Sequence, residues 1–183
     1  MRAVFLDRDG TINVGVPVYE RVDSIDKLRL LPTVMEALTI LAKLDFGVFL
    51  VTNQGGIAEG LISENDFEDI NNKLLEMIKP SGVKIIKTYH CPHGENSTCE
   101  CRKPKPKMIL EAAADYNVDL GNSWTIGDRL TDVMTGINAG TNTILVQSGA
   151  VKHKSAEATY TAATLLDAIE YIARQRQSMA KTS

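Results

Sequence analysis

The chain has 183 residues, 44% of them hydrophobic and 23% charged, with a formal net charge of −3. A chain of this length buries roughly 70% of its unfolded surface, so it needs neither disulfides nor a metal to make a core, and its composition excludes wholesale disorder. The slightly acidic balance argues against nucleic-acid binding by charge, and the longest apolar run, near residues 46–51, falls far short of the roughly 20 residues that span a bilayer.

Residues 3–6 predict a short apolar strand that stops at Asp7. That stretch is too short for a signal peptide, so the expected compartment is the cytoplasm. Residues 33–44 have helical spacing, with Val34, Leu38, Leu41 and Ala42 on one face and Pro32 at the start. The continuous apolar run 47–51 predicts a strand buried on both faces. Residues 63–78 predict a helix with Ser63 as N-cap and Asp66 three residues on. A strand over 83–89 follows, then a polar loop. Helices over 106–116, 130–139 and 165–174 alternate with strands over 123–126 and 143–146. Strands separated by helices predict an α/β fold, a Rossmann-like parallel sheet with helices on both faces. No linker divides the chain, so a single domain over 1–183 is expected, with a flexible tail at 175–183.

The three cysteines, Cys91, Cys99 and Cys101, lie in one short window with His93, as C-P-H-x5-C-x-C. An odd, clustered set is not a disulfide framework. Three thiolates and an imidazole are the ligand chemistry of structural zinc, which predicts a zinc loop at 91–101.

Chemistry in a parallel sheet gathers at the carboxyl ends of its strands. Those ends carry Asp7-Arg8-Asp9-Gly10-Thr11, then Thr52-Asn53-Gln54-Gly55-Gly56, then Gly127-Asp128-Arg129 with Asp132. Arg102-Lys103 precedes a helix. Asp7 and Asp128 offer oxygens to a hard cation such as Mg²⁺. A lysine and a threonine suit the oxygens of a transferring phosphoryl group. Glycines open the backbone to the same oxygens.

D-R-D-G-T resembles the first motif of the haloacid dehalogenase superfamily. Thr52, Lys103, and Gly127-Asp128 with Asp132 resemble its second, third and fourth motifs, in order. The resemblance implies a Mg²⁺-dependent phosphatase in which Asp7 is the nucleophile and forms an aspartyl-phosphate. Asp9 would be the acid and base, and Thr52 and Lys103 would hold the phosphoryl oxygens. It assigns Mg²⁺ to Asp7, to Asp128 and to Asp9 through its backbone carbonyl, and gives Asp132 a supporting role toward the metal or Lys103. A set with Asp7, Asp9, Lys103 and Asp128 all present argues against a binding module that has merely kept the fold.

The cysteine loop followed by Arg102-Lys103-Pro104 resembles two groups of that superfamily, the D-glycero-D-manno-heptose 1,7-bisphosphate 7-phosphatases and the histidinol-phosphatases. The T-N-Q-G-G-I-A-E-G run is more similar to the heptose group, while Gly15-Val16-Pro17-Val18 departs from it. The expected partner is a small phosphorylated metabolite, and neither nucleic acid nor membrane. Asn53, Gln54, Gly55, Arg102 and Arg129 are the candidate substrate contacts, with Arg102 suited to a second phosphate. No gap between motifs is large enough for a cap domain, so the 13–30 loop and the zinc loop are expected to close the cleft.

Overall fold

A computed structural model describes residues 1–14 and 22–180. Its strands are Ala3–Leu6 (β1), Gly47–Asn53 (β2), Ile85–Cys91 (β3), Trp124–Gly127 (β4), Asn142–Val146 (β5) and Tyr160–Ala162 (β6). They form one sheet in the order β3-β2-β1-β4-β5-β6. Every neighbouring pair is parallel. The helices are Val34–Leu41 (α1), Glu64–Ile78 (α2), Lys107–Tyr116 (α3), Leu130–Ala139 (α4) and Leu165–Ala180 (α5).

Strand β1 and residues 47–51 of β2 read as unbroken apolar runs because both faces of the sheet are covered there. Side chains alternate between those faces. Val4 and Leu6 of β1 join Val48 and Leu50 of β2 in a core with α1, α2 and α5. Ala3, Phe5, Phe49 and Val51 point the other way, toward Met108, Ile109 and Ala112 of α3. Phe5 and Phe49 stack there at 5.4 Å. Trp124 is 9% exposed and meets Tyr171 edge-on at 5.9 Å.

Several boundaries differ from the sequence expectation. Helix α1 ends at Leu41 rather than 44, because the chain tightens there: Lys43 N–H donates to Ile40 and Leu44 N–H to Leu41, three residues back. Strand β2 runs on through Asn53 because Thr52 and Asn53 pair with His90 and Cys91. That same register starts β3 at Ile85 and carries it to the first cysteine. Ser123 lies just before β4, where its hydroxyl accepts from the Ala3 N–H at 2.9 Å. Helix α5 continues to Ala180, past the expected end at 174. Strand β6 has no apolar run to announce it. It exists through pairing with β5 and through Tyr160, which stacks on Tyr171 at 4.0 Å.

Helix α2 begins where its cap predicts. The Ser63 hydroxyl accepts from the Asp66 N–H at 3.1 Å, and Asp66 accepts from the Ser63 N–H at 2.8 Å. Part of the 13–30 loop expected to close the cleft, residues 15–21, lies outside the described residues, as does the end of the tail at 181–183. No helix among the described residues is long and apolar enough to cross a membrane.

Candidate active site

The sheet order puts β1 between β2 and β4, so the residues that follow these three strands converge at one edge. Asp7 leaves β1 with its N–H donating to the Ile126 carbonyl of β4 at 2.9 Å. Lys103 reaches into the same place from the loop after β3. Its ammonium meets Asp7 Oδ1 at 2.6 Å, Asp132 Oδ1 at 2.6 Å and the Val51 carbonyl at 2.8 Å. Those are three acceptors for three protons. Burial alone would lower the Lys103 ammonium, but Asp132 and Asp7 outweigh it and hold it above the ordinary lysine value, so it stays charged.

Burial pushes the Asp7 carboxyl up to about 8. Lys103 works against that shift, while Asp132 and Asp128 add to it. Asp128 rises to about 6, first through burial and then through Asp132. Three carboxylates packed together repel one another, and a dication reverses that effect. Asp7, Asp128 and Asp132 each bring an oxygen within 4.8 Å of the others. Both oxygens of Asp132 are committed, one to Lys103 and one to the Arg129 N–H at 3.0 Å. Asp128 Oδ1, in contrast, is buried with no hydrogen-bond partner among the described residues. An all-oxygen donor set with one orphaned carboxylate oxygen fits a hard cation such as Mg²⁺.

Asp128 is held in place by two glycines. A Cβ on Gly10 would lie 2.4 Å from Asp128 Oδ2, and one on Gly149 would lie 1.9 Å from it. Gly10 also has a φ of +94°, which favours glycine. The Ser148 hydroxyl donates to the Gly10 carbonyl at 2.8 Å and ties the two loops together.

Asp9 faces a different set of groups. Arg8 grips its carboxylate through Nε and Nη2, Asn13 donates to Oδ1 at 2.8 Å, and Gln54 to Oδ2 at 2.9 Å. Burial works to raise this carboxyl, but the Arg8 guanidinium and these donors prevail and hold it below its ordinary value. Gln54 also donates to the Thr52 hydroxyl at 2.9 Å, and Thr52 is fully buried.

The structure distributes the expected substrate contacts unevenly. The Asn53 amide is bound to the backbone of Lys103, accepting from its N–H at 3.0 Å and donating to its carbonyl at 3.2 Å. Gln54 turns inward to Asp9 and Thr52. Gly55 packs against Arg102, whose Nη1 would be 3.2 Å from a Cβ there. Arg102 donates to the His93 carbonyl at 2.8 Å and stands 3.7 Å from Glu95. Arg129 is exposed.

The four predicted zinc ligands come together. Cys91 Sγ lies 3.0 Å from Cys101 Sγ, 3.7 Å from Cys99 Sγ and 3.5 Å from His93 Nδ1. Zn–S bonds of about 2.3 Å would put tetrahedral sulfurs about 3.8 Å apart, so the cluster is within a small relaxation of that geometry. Burial and the neighbouring thiols push Cys91 up to about 12, a shift that a cation at the sulfur reverses.

Sequence reasoning missed Arg8, Asn13, Ser148 and Gly149. Arg8 and Asn13 sit in or beside the first motif, where strand periodicity has already ended. Ser148-Gly149 carries one signal, a small pair directly after a strand at the carboxyl edge.

A family model described as HAD-hydrolase-like matches residues 100–170. The D-glycero-alpha-D-manno-heptose-1,7-bisphosphate 7-phosphatase of Campylobacter jejuni is 38% identical over 145 residues, covering 79% of this chain and 81% of that protein. The chain belongs to the haloacid dehalogenase-like phosphatases. Within these phosphatases, the D-glycero-beta-D-manno-heptose-1,7-bisphosphate 7-phosphatase of Pasteurella multocida is likewise 38% identical, over 155 residues, covering 81% of this chain and 83% of its own. A crystal structure of the D,D-heptose 1,7-bisphosphate phosphatase of B. bronchiseptica, complexed with magnesium and phosphate, superposes with a TM-score of 0.86 at 31% identity. The match covers 96% of this haloacid dehalogenase-like chain and 99% of that one.

Proposed function

We propose that the chain is a Mg²⁺-dependent phosphatase that removes the 7-phosphate of D-glycero-D-manno-heptose 1,7-bisphosphate, working as a single domain over 1–183. The observation that carries this reading is the convergence of Asp7, Lys103 and Asp128 at the carboxyl edge of β1, β2 and β4. It is supported by relatives named for that reaction over most of their length. They include both α- and β-anomer enzymes, so the proposal names no anomer.

Asp7 attacks phosphorus through a carboxylate oxygen while the ester P–O bond breaks, and the departing oxygen takes a proton from Asp9. Water then attacks the aspartyl-phosphate. Asp9 accepts its proton, the Asp7–phosphorus bond breaks and phosphate leaves. Thr52 accepts from Gln54 and so keeps its own O–H for a phosphoryl oxygen. Lys103 neutralises charge on the same group. Asp7, the Asp9 backbone carbonyl and Asp128 would hold Mg²⁺, which supplies charge neutralisation to the phosphoryl group when bound. Cys91, His93, Cys99 and Cys101 would hold zinc, which would pin the loop that carries Arg102 and Lys103. Arg102 recognises the second phosphate with the N–H groups it does not spend on His93.

Profiling of kcat/KM across sugar bisphosphates, histidinol phosphate and an aryl phosphate tests the assignment. The heptose bisphosphate is expected to be preferred, with Asp7→Asn folded and inactive. Arg102→Ala is expected to lose about tenfold or more on the bisphosphate and less on the aryl ester, which has no distal anion. A higher kcat/KM for histidinol phosphate would overturn the substrate.

A further inference from the structure

Arg8 stands between Asp7 and Asp9, and its side chain is 1% exposed. Its Nε lies 3.3 and 3.2 Å from the two carboxylate oxygens of Asp9, and its Nη2 lies 3.1 and 2.9 Å from them. Below the guanidinium is Phe67 of α2, with its ring centroid 5.4 Å away. Phe67 in turn packs on His90 of β3, with ring centroids 4.2 Å apart and the planes tilted by 34°. The remaining Arg8 nitrogen, Nη1, is buried and has no hydrogen-bond partner among the described residues.

Stability does not account for an arginine here. A buried guanidinium with an unmatched NH₂ is costly, and an apolar side chain over Phe67 packs at less cost. What arginine alone supplies is a rigid planar fork that fixes the plane of a carboxylate. The fork spans both Asp9 oxygens. Either oxygen can therefore exchange its other partner, Asn13 at Oδ1 or Gln54 at Oδ2, while the plane stays put.

We propose that Arg8, seated on Phe67, is the positioning residue for Asp9: it holds the carboxyl group in the one orientation from which Asp9, once protonated, passes its proton to the departing oxygen. This rests on the acid/base reading of Asp9 above. Arg8 touches neither substrate nor metal in this role and acts only through Asp9.

The test compares two esters. Dinitrophenyl phosphate releases a phenolate that departs without a proton, whereas the alkoxide departing from a sugar phosphate needs one. For both, kcat/KM covers the steps up to the aspartyl-phosphate. Arg8→Lys keeps the charge and loses the fork. It is expected to cost about 10²-fold on the sugar phosphate and under about threefold on dinitrophenyl phosphate. Phe67→Leu, which leaves the guanidinium but removes its seat, is expected to show the same selectivity at smaller size, with zinc content and melting temperature checked for both. Asp9→Asn is measured in parallel. If it is selective while Arg8→Lys and Phe67→Leu lower both esters equally or neither, the acid/base reading stands and the Arg8 proposal is overturned. If Asp9→Asn is itself unselective, the reading beneath the proposal fails and takes the proposal with it.

Discussion

Asn53 and Lys103 are joined as two strands of a sheet are joined. The side-chain amide of Asn53 accepts from the Lys103 N–H at 3.0 Å and donates to the Lys103 carbonyl at 3.2 Å. The end of β2 thus anchors the backbone from which the Lys103 ammonium reaches Asp7. Asn53→Leu is expected to leave the fold intact and to lower kcat about 10²-fold, because a small displacement of a charged group near the reacting atoms is that costly. Steady-state kinetics on the sugar phosphate and on an aryl phosphate check it. Losses should be alike for both, since the proposed role of Lys103 is toward the phosphoryl group and not the rest of the substrate.

Gly149 leaves no room for a side chain beside Asp128. Gly149→Ala is expected to push the Asp128 carboxylate aside and to raise the Mg²⁺ concentration for half-maximal activity about tenfold or more, as changes around a metal ligand do. A Mg²⁺ titration with calorimetry on the same protein measures the weakened binding directly. An unchanged titration would show that the loop after β5 yields and Asp128 does not.

Protein prepared without chelators is expected to carry about one zinc per chain by elemental analysis. Its removal should raise hydrogen exchange in residues 91–103 well before the sheet, because the two apolar layers on β1 and β2 need no metal. Equal exchange everywhere after zinc loss would show that the loop and the sheet unfold as one.

Ser63→Ala removes one half of the reciprocal cap on α2. Such caps are worth enough that the melting temperature at neutral pH should drop by about 2–4 °C. The Ser63 hydroxyl and backbone N–H hold the Asp66 carboxyl below its ordinary value. A carboxyl lowered by folding stabilises above its unfolded value of about 3.9 and ceases to as pH falls through the folded one. The difference between the two proteins should therefore narrow below pH 4, which thermal melts across pH 2–7 would follow.

The residue pattern by itself determined the alternation of strands and helices, the start of α2 at Ser63 and the helix over 130–139, because propensity, periodicity and capping act within a few residues. It also determined that Asp7, Thr52 and Asp128 would share one edge, since each follows an apolar run and parallel strands end together. It pointed to the clustering of Cys91, His93, Cys99 and Cys101 too, since all four lie in one short window. Only the tertiary structure decided what each polar side chain faces. The pattern offered Asn53 and Gln54 only as candidate substrate contacts; the fold shows that one binds the backbone of Lys103 and the other faces Asp9 and Thr52. Arg8 carries no periodic signal past the end of β1, and its seat, Phe67, is supplied by a helix far along the chain. Gly149 meets Asp128, and β6 pairs with β5, only after the sheet has assembled. Hydrogen-bond partners and close approaches between distant segments depend on distances of a few ångströms, and those exist only once the chain is packed.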